Sequence, residues 1–227
     1  MIRRPPRSTP SNSSAASDVY KRQAYINEKL PGILELELQG IYKRGIFIPR
    51  EQAPGTAKKR YALIDNEGNL LVRGLETVRR DWCQLAKNVQ RKILIDVLEG
   101  KDVKNAVQYV QGIIRLLKEK KIPLKDLVIY EQLTKALSGY KQISPHVAAA
   151  QKIKKRGREV SEGMLIMFVI TRGEGSISER AEPLEDVSIE DIDVNYYIEN
   201  QIIPASLRIL QVLGVRREDL LGESLLF

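Results

Sequence analysis

Tyr61-Ala-Leu-Ile-Asp-Asn-Glu-Gly-Asn-Leu-Leu-Val-Arg73, followed at once by Gly74-Leu-Glu-Thr-Val-Arg-Arg-Asp-Trp82, holds the change of period on which the fold class turns. Two short apolar runs, Tyr61–Ile64 and Leu70–Arg73, flank Asp65-Asn-Glu-Gly-Asn69, a turn-forming segment that predicts a β-hairpin. Beyond it Trp82, Leu85, Val89, Ile93 and Val97 recur every three or four residues, which predicts a helix. Asp81 is expected in its first turn, where the helix dipole favours an acid. Strand gives way to helix near Thr77, the best place for a domain boundary.

Upstream of the hairpin, Ile33-Leu-Glu-Leu-Glu-Leu38 alternates apolar and acidic residues, as a half-buried strand does, with Glu35 and Glu37 on its solvent face. Ile41–Ile48 reads as a further strand and Pro49–Thr56 as a loop. Downstream, Gly100 should stop the first helix, and Asp102 should cap a second whose apolar face is Val103, Ala106, Val110, Ile113, Ile114 and Leu117. Pro123 ends the link that follows, and Leu127–Tyr130 is a short strand. Pro145 opens a helix that runs to about Arg156 and closes at Gly157. Leu165–Thr171 is a strand, and Tyr196–Leu213 a helix interrupted near Pro204. The fold class is therefore α+β: an antiparallel sheet, then a mainly helical part with a few strands.

The chain has 227 residues, 43% of them hydrophobic, enough for a sizeable core in one large domain or two small ones. Its longest apolar run, Met164–Ile170, is of strand length and far short of the ~18 residues a membrane span needs. One cysteine, Cys83, excludes an internal disulfide and fits a reducing cytoplasm. One histidine, His146, far from Cys83, excludes the usual zinc sites and argues against a Cys–His nucleophile.

Charge is unevenly placed. The first 23 residues carry +4 of the net +8. Between Lys135 and Arg158 stand Lys135, Lys141, Lys152, Lys154, Lys155, Arg156 and Arg158, with no acid. Between Glu182 and Asp193 stand six acids and no base. The two windows read as separated charge, and a basic stripe at a helix end is the footprint of phosphate contact. The bland alternative is a solvated helix face. Ala148–Ala150 are packing residues, and small enough to let a backbone approach a groove.

Several chemistries are missing. There is no Walker A loop, and Gly173-Glu-Gly175 lacks the rest of a dinucleotide fingerprint and reads as a loop. The pairs Glu35/Glu37 and Asp191/Asp193 are better read as a strand face and a charged loop than as metal ligands, so no metal-binding and no catalytic residue is assigned. His146 has no obvious partner and reads as a structural residue or a DNA-backbone contact.

MIRRPPRSTPSNSSAASDVYKRQ, residues 1–23, is rich in Pro, Ser and Arg. It fits a disordered basic arm, or an Arg- and Ser-rich transit peptide. Its end, SAASDVYKRQ, closely resembles the conceptual translation of sequencing-adapter DNA, and a non-native leader is the reading preferred here. Its arginines count neither for the fold nor for DNA binding.

Seven stretches then resemble one family. Tyr42-Lys-Arg-Gly45, Lys58-Lys-Arg-Tyr61-Ala, Arg73-Gly-Leu-Glu76 and Val78-Arg-Arg-Asp-Trp82 occur in the order and spacing of the palm-to-thumb junction of family B DNA polymerases. Ile129-Tyr-Glu-Gln132, Ser144-Pro-His-Val147-Ala and Tyr196-Tyr-Ile-Glu-Asn-Gln201-Ile-Ile-Pro204-Ala are similar to the thumb of the archaeal branch. The likeness runs from Ala24 to about Leu221. It implies the end of a palm at 24–77 and a thumb at 78–227, which together grip primer–template DNA.

Residue by residue, the resemblance places Lys59 and Tyr61 on a K-x-Y motif along the minor groove near the primer end. A lysine there reaches acceptors common to every base pair and so senses duplex geometry without reading sequence. Arg73, Arg79 and Arg80 are placed on backbone phosphate or on acids of the palm, two roles the residues themselves do not separate. The helix start at Pro145-His146-Val147, with Lys152, Lys154, Lys155 and Arg156 behind it and Lys135 and Lys141 before it, is where the family holds the primer strand. The family's two metal-binding aspartates, which hold Mg²⁺ for phosphoryl transfer, match nothing here, nor do the exonuclease domain, the fingers or the nucleotide-binding lysine. The chain alone is thus expected to be inactive. Its partners would be DNA and the remainder of the polymerase, in cis or as a separate subunit. A split polymerase's small subunit and a stand-alone DNA-binding module are the alternatives. Gly222–Phe227 fits a sliding-clamp peptide or a truncation.

Overall fold

The computed structural model describes residues 14–32, 34–49 and 56–222. The expected loop at Pro49–Thr56 falls almost wholly outside these residues, as do 223–227 of the C-terminal segment. The element order is α1 (Ser14–Lys29), β1 (Arg44–Pro49), β2 (Thr56–Ile64), β3 (Leu70–Arg73), α2 (Gln84–Glu99), α3 (Val103–Lys118), α4 (Leu124–Leu127), β4 (Ile129–Gln132), α5 (Pro145–Lys155), β5 (Leu165–Ile170), β6 (Ala181–Pro183), α6 (Val194–Tyr197), α7 (Ile203–Leu210) and α8 (Arg217–Leu221). Residues 14–23, which the sequence reading excludes from the fold, form the first part of α1.

The strands make two antiparallel three-stranded sheets, β1-β2-β3 and β4-β5-β6, so the fold is α+β as expected. The Asp65–Asn69 turn is closed by its own side chains. Asp65 accepts from the Glu67 and Asn69 backbone N–H groups at 2.9 and 2.8 Å, and from the Asn69 amide at 2.9 Å. These bonds hold the Asp65 carboxyl below its usual pKa, the Asn69 amide contributing most. The register sets Tyr61 opposite Arg73 and Ile64 opposite Leu70. Alternate residues Ala62 and Ile64 are fully buried, and this face packs on α2.

Leu34–Gly40 is not the expected strand. A strand needs a neighbour for its backbone groups, and this segment finds helix side chains instead. Asn27 accepts from Leu36 N–H at 2.8 Å and donates to its carbonyl at 3.0 Å, while Gln23 accepts from Leu38 N–H at 3.2 Å. Leu34 and Leu36 stay exposed, as do Glu35 and Glu37.

The helical part is one continuous core. Leu85, Ala86, Val89, Ile93 and Leu94 of α2 are buried against α7, and the buried face of α3 packs under α8. Gly100 takes a left-handed φ of 81° at the end of α2, and Asp102 caps α3 by accepting from Lys104 N–H at 2.9 Å. Asp81 lies outside α2, whose N-cap is Cys83; it pairs with Arg79 instead. The expected break near Pro204 is a π turn, Ile198–Ile202, between α6 and α7. Proline has no N–H to offer the carbonyl four residues back, and a wider turn makes room for its ring.

A buried polar knot ties the sheet to the helices. Gln90 accepts from the Thr77 N–H and hydroxyl at 2.8 and 2.7 Å. It donates to Glu76 at 2.6 Å and to the Ala205 carbonyl at 2.9 Å. Arg208 reaches Glu76 at 3.3 Å. The strand-to-helix junction is therefore fixed from both sides.

Candidate nucleic-acid interface

Lys59, Tyr61 and Arg73 share one face of the first sheet. Residues two apart on a strand point the same way, and directly opposed residues on neighbouring strands do too. Lys59 and Arg73 are exposed and Tyr61 is half-buried. Phe47 lies opposite Tyr61 on β1, 56% exposed, with the ring centroids 5.8 Å apart. The face is thus two rings flanked by two cations, a surface able to lie along a nucleic-acid groove. Phe47 is a candidate the sequence reading missed; its place in an uninterrupted apolar run hides the alternation that exposes it.

Arg79 makes a two-pronged pair with Asp81, at 3.0 and 2.5 Å, and this hydrogen bonding raises its pKa further. This acid is its own neighbour, outside the 24–77 segment, so the pair does not separate the two roles given to Arg79, backbone phosphate or acids of the palm. Arg80 is exposed and reaches Gln132 of β4 at 3.4 Å, so it leans from the first sheet toward the second.

Helix α5 lies across the second sheet. His146, Val147, Ala148, Ala149 and Ala150 are buried, and the three alanines let the helix sit close to β6. His146, without a partner in the sequence, has two here: Nδ1 lies 2.9 Å from the Glu131 carboxylate and 3.1 Å from the Ser144 hydroxyl. Tyr140 packs edge-on to its ring at 5.9 Å. Lys135 lies over the other ring in this group, with Nζ 4.9 Å from the Tyr140 centroid, a cation–π contact.

The charge windows separated in sequence meet in space. β6 runs beside α5, and its acids take up part of the basic stripe. Lys152 pairs with Glu182 at 2.5 Å, Arg156 reaches Glu182 at 3.7 Å, and Arg158 pairs with Glu185. The expectation of separated charge is therefore corrected: the strand register brings residues 26 to 30 positions apart into contact. Of the seven cations, Lys135, Lys141, Lys154 and Lys155 are exposed and make no ion pair among the described residues, and of these Lys135 lies over the Tyr140 ring. Lys154 and Lys155 stand at the C-terminal end of α5, where the helix dipole itself favours positive charge.

The acid pairs are committed elsewhere. Asp191 accepts from the Ser188 N–H and hydroxyl, and Asp193 pairs with Arg180. Among the described residues no group of three or more His, Cys, Asp or Glu is placed to hold a metal ion. No helix among them is long and apolar enough to cross a membrane.

Residues 11–213 match the model of DNA polymerase family B. A DNA polymerase of Methanocaldococcus jannaschii is 48% identical over 199 residues, 88% of this chain and 12% of that protein. One from Thermococcus aggregans is 47% identical, over 88% of this chain and 11% of that protein. The solved family B DNA polymerase of the hyperthermophilic archaeon Pyrobaculum calidifontis superposes with a TM-score of 0.66 at 38% identity, over 90% of this chain and 25% of that one. The chain spans between about a tenth and a quarter of the length of these relatives.

Proposed function

Because the chain belongs to DNA polymerase family B, we propose that it grips the primer–template duplex of such an enzyme, as the end of the palm (24–77) and the thumb (78–227). One observation carries the reading. Lys141, Lys154 and Lys155 stay exposed and unpaired among the described residues, although acids lie close enough to bind their neighbours. Cations left open in this way neutralise phosphate and release its counterions.

The two regions divide the work. Lys59, Tyr61 and Arg73, with Phe47 beside them, lie along the minor groove near the primer end and check duplex geometry. Lys141, Lys154 and Lys155, with Lys135 and Arg80 on their flanks, hold backbone phosphate. Lys152 and Arg156 join them when they exchange carboxylate for phosphate. His146, tied to Glu131 and Ser144, fixes the start of α5, and with it the helix N-terminus that faces the backbone. Arg79 joins the grip only by giving up Asp81.

Phosphoryl transfer with Mg²⁺ belongs to residues this chain does not supply. Its own acids do not fit a pair of Mg²⁺ ions, since the closest candidates, Asp191 and Asp193, are taken by Ser188 and Arg180. The remainder of the polymerase is therefore the partner, and primer–template DNA the substrate it holds.

The test is a fluorescence titration of labelled duplex at several salt concentrations. With roughly three to five phosphates neutralised, the slope of log K against log salt should be about −3 to −4.5. A slope near zero means a solvated face and sinks the reading.

A further inference from the structure

We propose that Glu182 is a built-in phosphate surrogate: it occupies Lys152 and Arg156 in the free protein, weakens the grip on DNA, and so keeps it releasable. The inference rests on the reading of α5 as a phosphate-binding face. An ammonium group has three donors. Lys152 uses all three, on the Glu179 carbonyl at 2.6 Å, the Ala181 carbonyl at 3.0 Å and the Glu182 carboxylate at 2.5 Å. A phosphate can therefore reach Lys152 only by displacing an acceptor.

The three acceptors are not equally displaceable. The two carbonyls belong to the backbone at and just before β6, whose ladder to β5 pairs Ala181 with Ile170 and Glu182 with Val169. The Glu182 carboxylate is at the end of a side chain that is 28% exposed. It also faces Arg156 at 3.7 Å, so one carboxylate spans two cations as a phosphate would. Beside it opens a cavity of about 460 Å³, lined by Arg156, Thr171, Arg172, Gly173, Glu182 and Asp191. The cavity gives the Glu182 side chain somewhere to turn. Glu185 repeats the arrangement more loosely on Arg158, where both side chains are more than half exposed.

A polymerase must hold duplex tightly enough to stay on it and loosely enough to step. A carboxylate that returns to its cations whenever phosphate leaves lowers the cost of each release. Removing it should tighten binding and count as one more phosphate neutralised.

The experiment compares the 227-residue chain with its Glu182→Gln variant in the same salt titration. The variant should bind duplex about threefold to tenfold more tightly near ~0.1 M salt, with a slope steeper by about 0.9. In a Lys152→Ala background the same change should tighten binding far less, because its main beneficiary is gone. Glu185→Gln, on an exposed pair where folding is not at stake, should give a smaller gain of about twofold through Arg158. Wild-type binding that tracks salt, with Glu182→Gln binding no tighter, overturns the inference and leaves the duplex grip standing. An equal gain with and without Lys152 also overturns it, since the effect is then bulk charge. If neither chain binds with salt dependence, the grip itself is refuted and the inference falls with it.

Discussion

The backbone carbonyl of Lys59 lies so close to the α-carbon of Gly74 that a Cβ built there would sit 2.0 Å from the oxygen. Gly74 also holds a left-handed φ of 66°. The turn out of β3 is thus folded directly onto the strand that carries Lys59 and Tyr61. The glycine of the Arg73-Gly-Leu-Glu76 motif is there to allow it.

Gly74→Ala should accordingly cost about 2–4 kcal/mol of stability, from the positive φ and from the clash with a backbone atom that cannot swing aside. Urea unfolding followed by circular dichroism measures it. Duplex binding at low salt should fall as well, because Lys59 and Arg73 are displaced together. A loss below about 1 kcal/mol would show that the hairpin shifts at little cost.

Gln90→Leu conserves most of the side-chain volume and removes four hydrogen bonds at once. It leaves the buried Glu76 carboxylate to Arg208 alone and takes the Gln90 partner from the Thr77 N–H and the Ala205 carbonyl. The expected loss is about 2–4 kcal/mol, since buried partners left without a bond cost more than the bond contributed. Glu76→Gln should be milder: it gives up the Arg208 pair but still accepts from Gln90. If the two variants prove equally mild in denaturant titrations, the knot is only a packing contact.

Much of this architecture is legible in the sequence. Asp102 as a cap, Gly100 as a stop and Asp65–Asn69 as a hairpin turn are local features, where a residue's neighbours in sequence are also its neighbours in space. Failures came where partners are remote. Ile33–Leu38 has the period of a strand, but no sequence pattern reveals that the donor and acceptor of Asn27 will take up Leu36. His146 looked partnerless because Glu131 lies fifteen residues back, on the other side of a loop. The basic and acidic windows looked separate because the pairing of β5 with β6 that lays Glu182 beside Lys152 is a tertiary fact. The family likeness supplied the candidate residues on the first sheet, and the fold sets Phe47 beside them.

Cys83 is fully buried at the N-cap of α2, and burial pushes its thiol up to about 12. Near pH 8 only about one thiol in ten thousand would be ionised, so a disulfide reagent should label it at the rate at which the protein opens. Labelling in concentrated guanidinium should be immediate. The stability effect has a definite sign. A thiol whose folded pKa is raised keeps its proton when the unfolded chain loses it. Stability is therefore unaffected well below pH 9 and falls as pH climbs from about 9 toward 12. Fast stoichiometric labelling of the native chain near pH 8 would place Cys83 at the surface.

Lys59 and Lys155 should fail in different ways, and the difference separates positioning from gripping. Lys59 is exposed on β2, on the same face as Tyr61 of β2 and Arg73 of β3, and is proposed as one minor-groove contact among many phosphate contacts. Lys59→Ala removes a charge-assisted hydrogen bond worth about 1.5–3 kcal/mol where it is made. If that contact aligns the primer terminus, the loss appears in the rate of extension, because misplaced reacting groups are penalised steeply. Lys155 is an exposed cation at the end of α5 with no ion pair among the described residues. Lys155→Ala should weaken duplex binding and flatten the salt slope by about one unit, leaving the rate at saturating DNA nearly intact. Both variants are best measured in a full-length polymerase carrying this segment, by single-turnover extension at saturating DNA alongside the salt titration. Normal extension by Lys59→Ala under those conditions would reduce Lys59 to a solvated strand residue, and an unchanged slope in Lys155→Ala would remove α5 from the phosphate face.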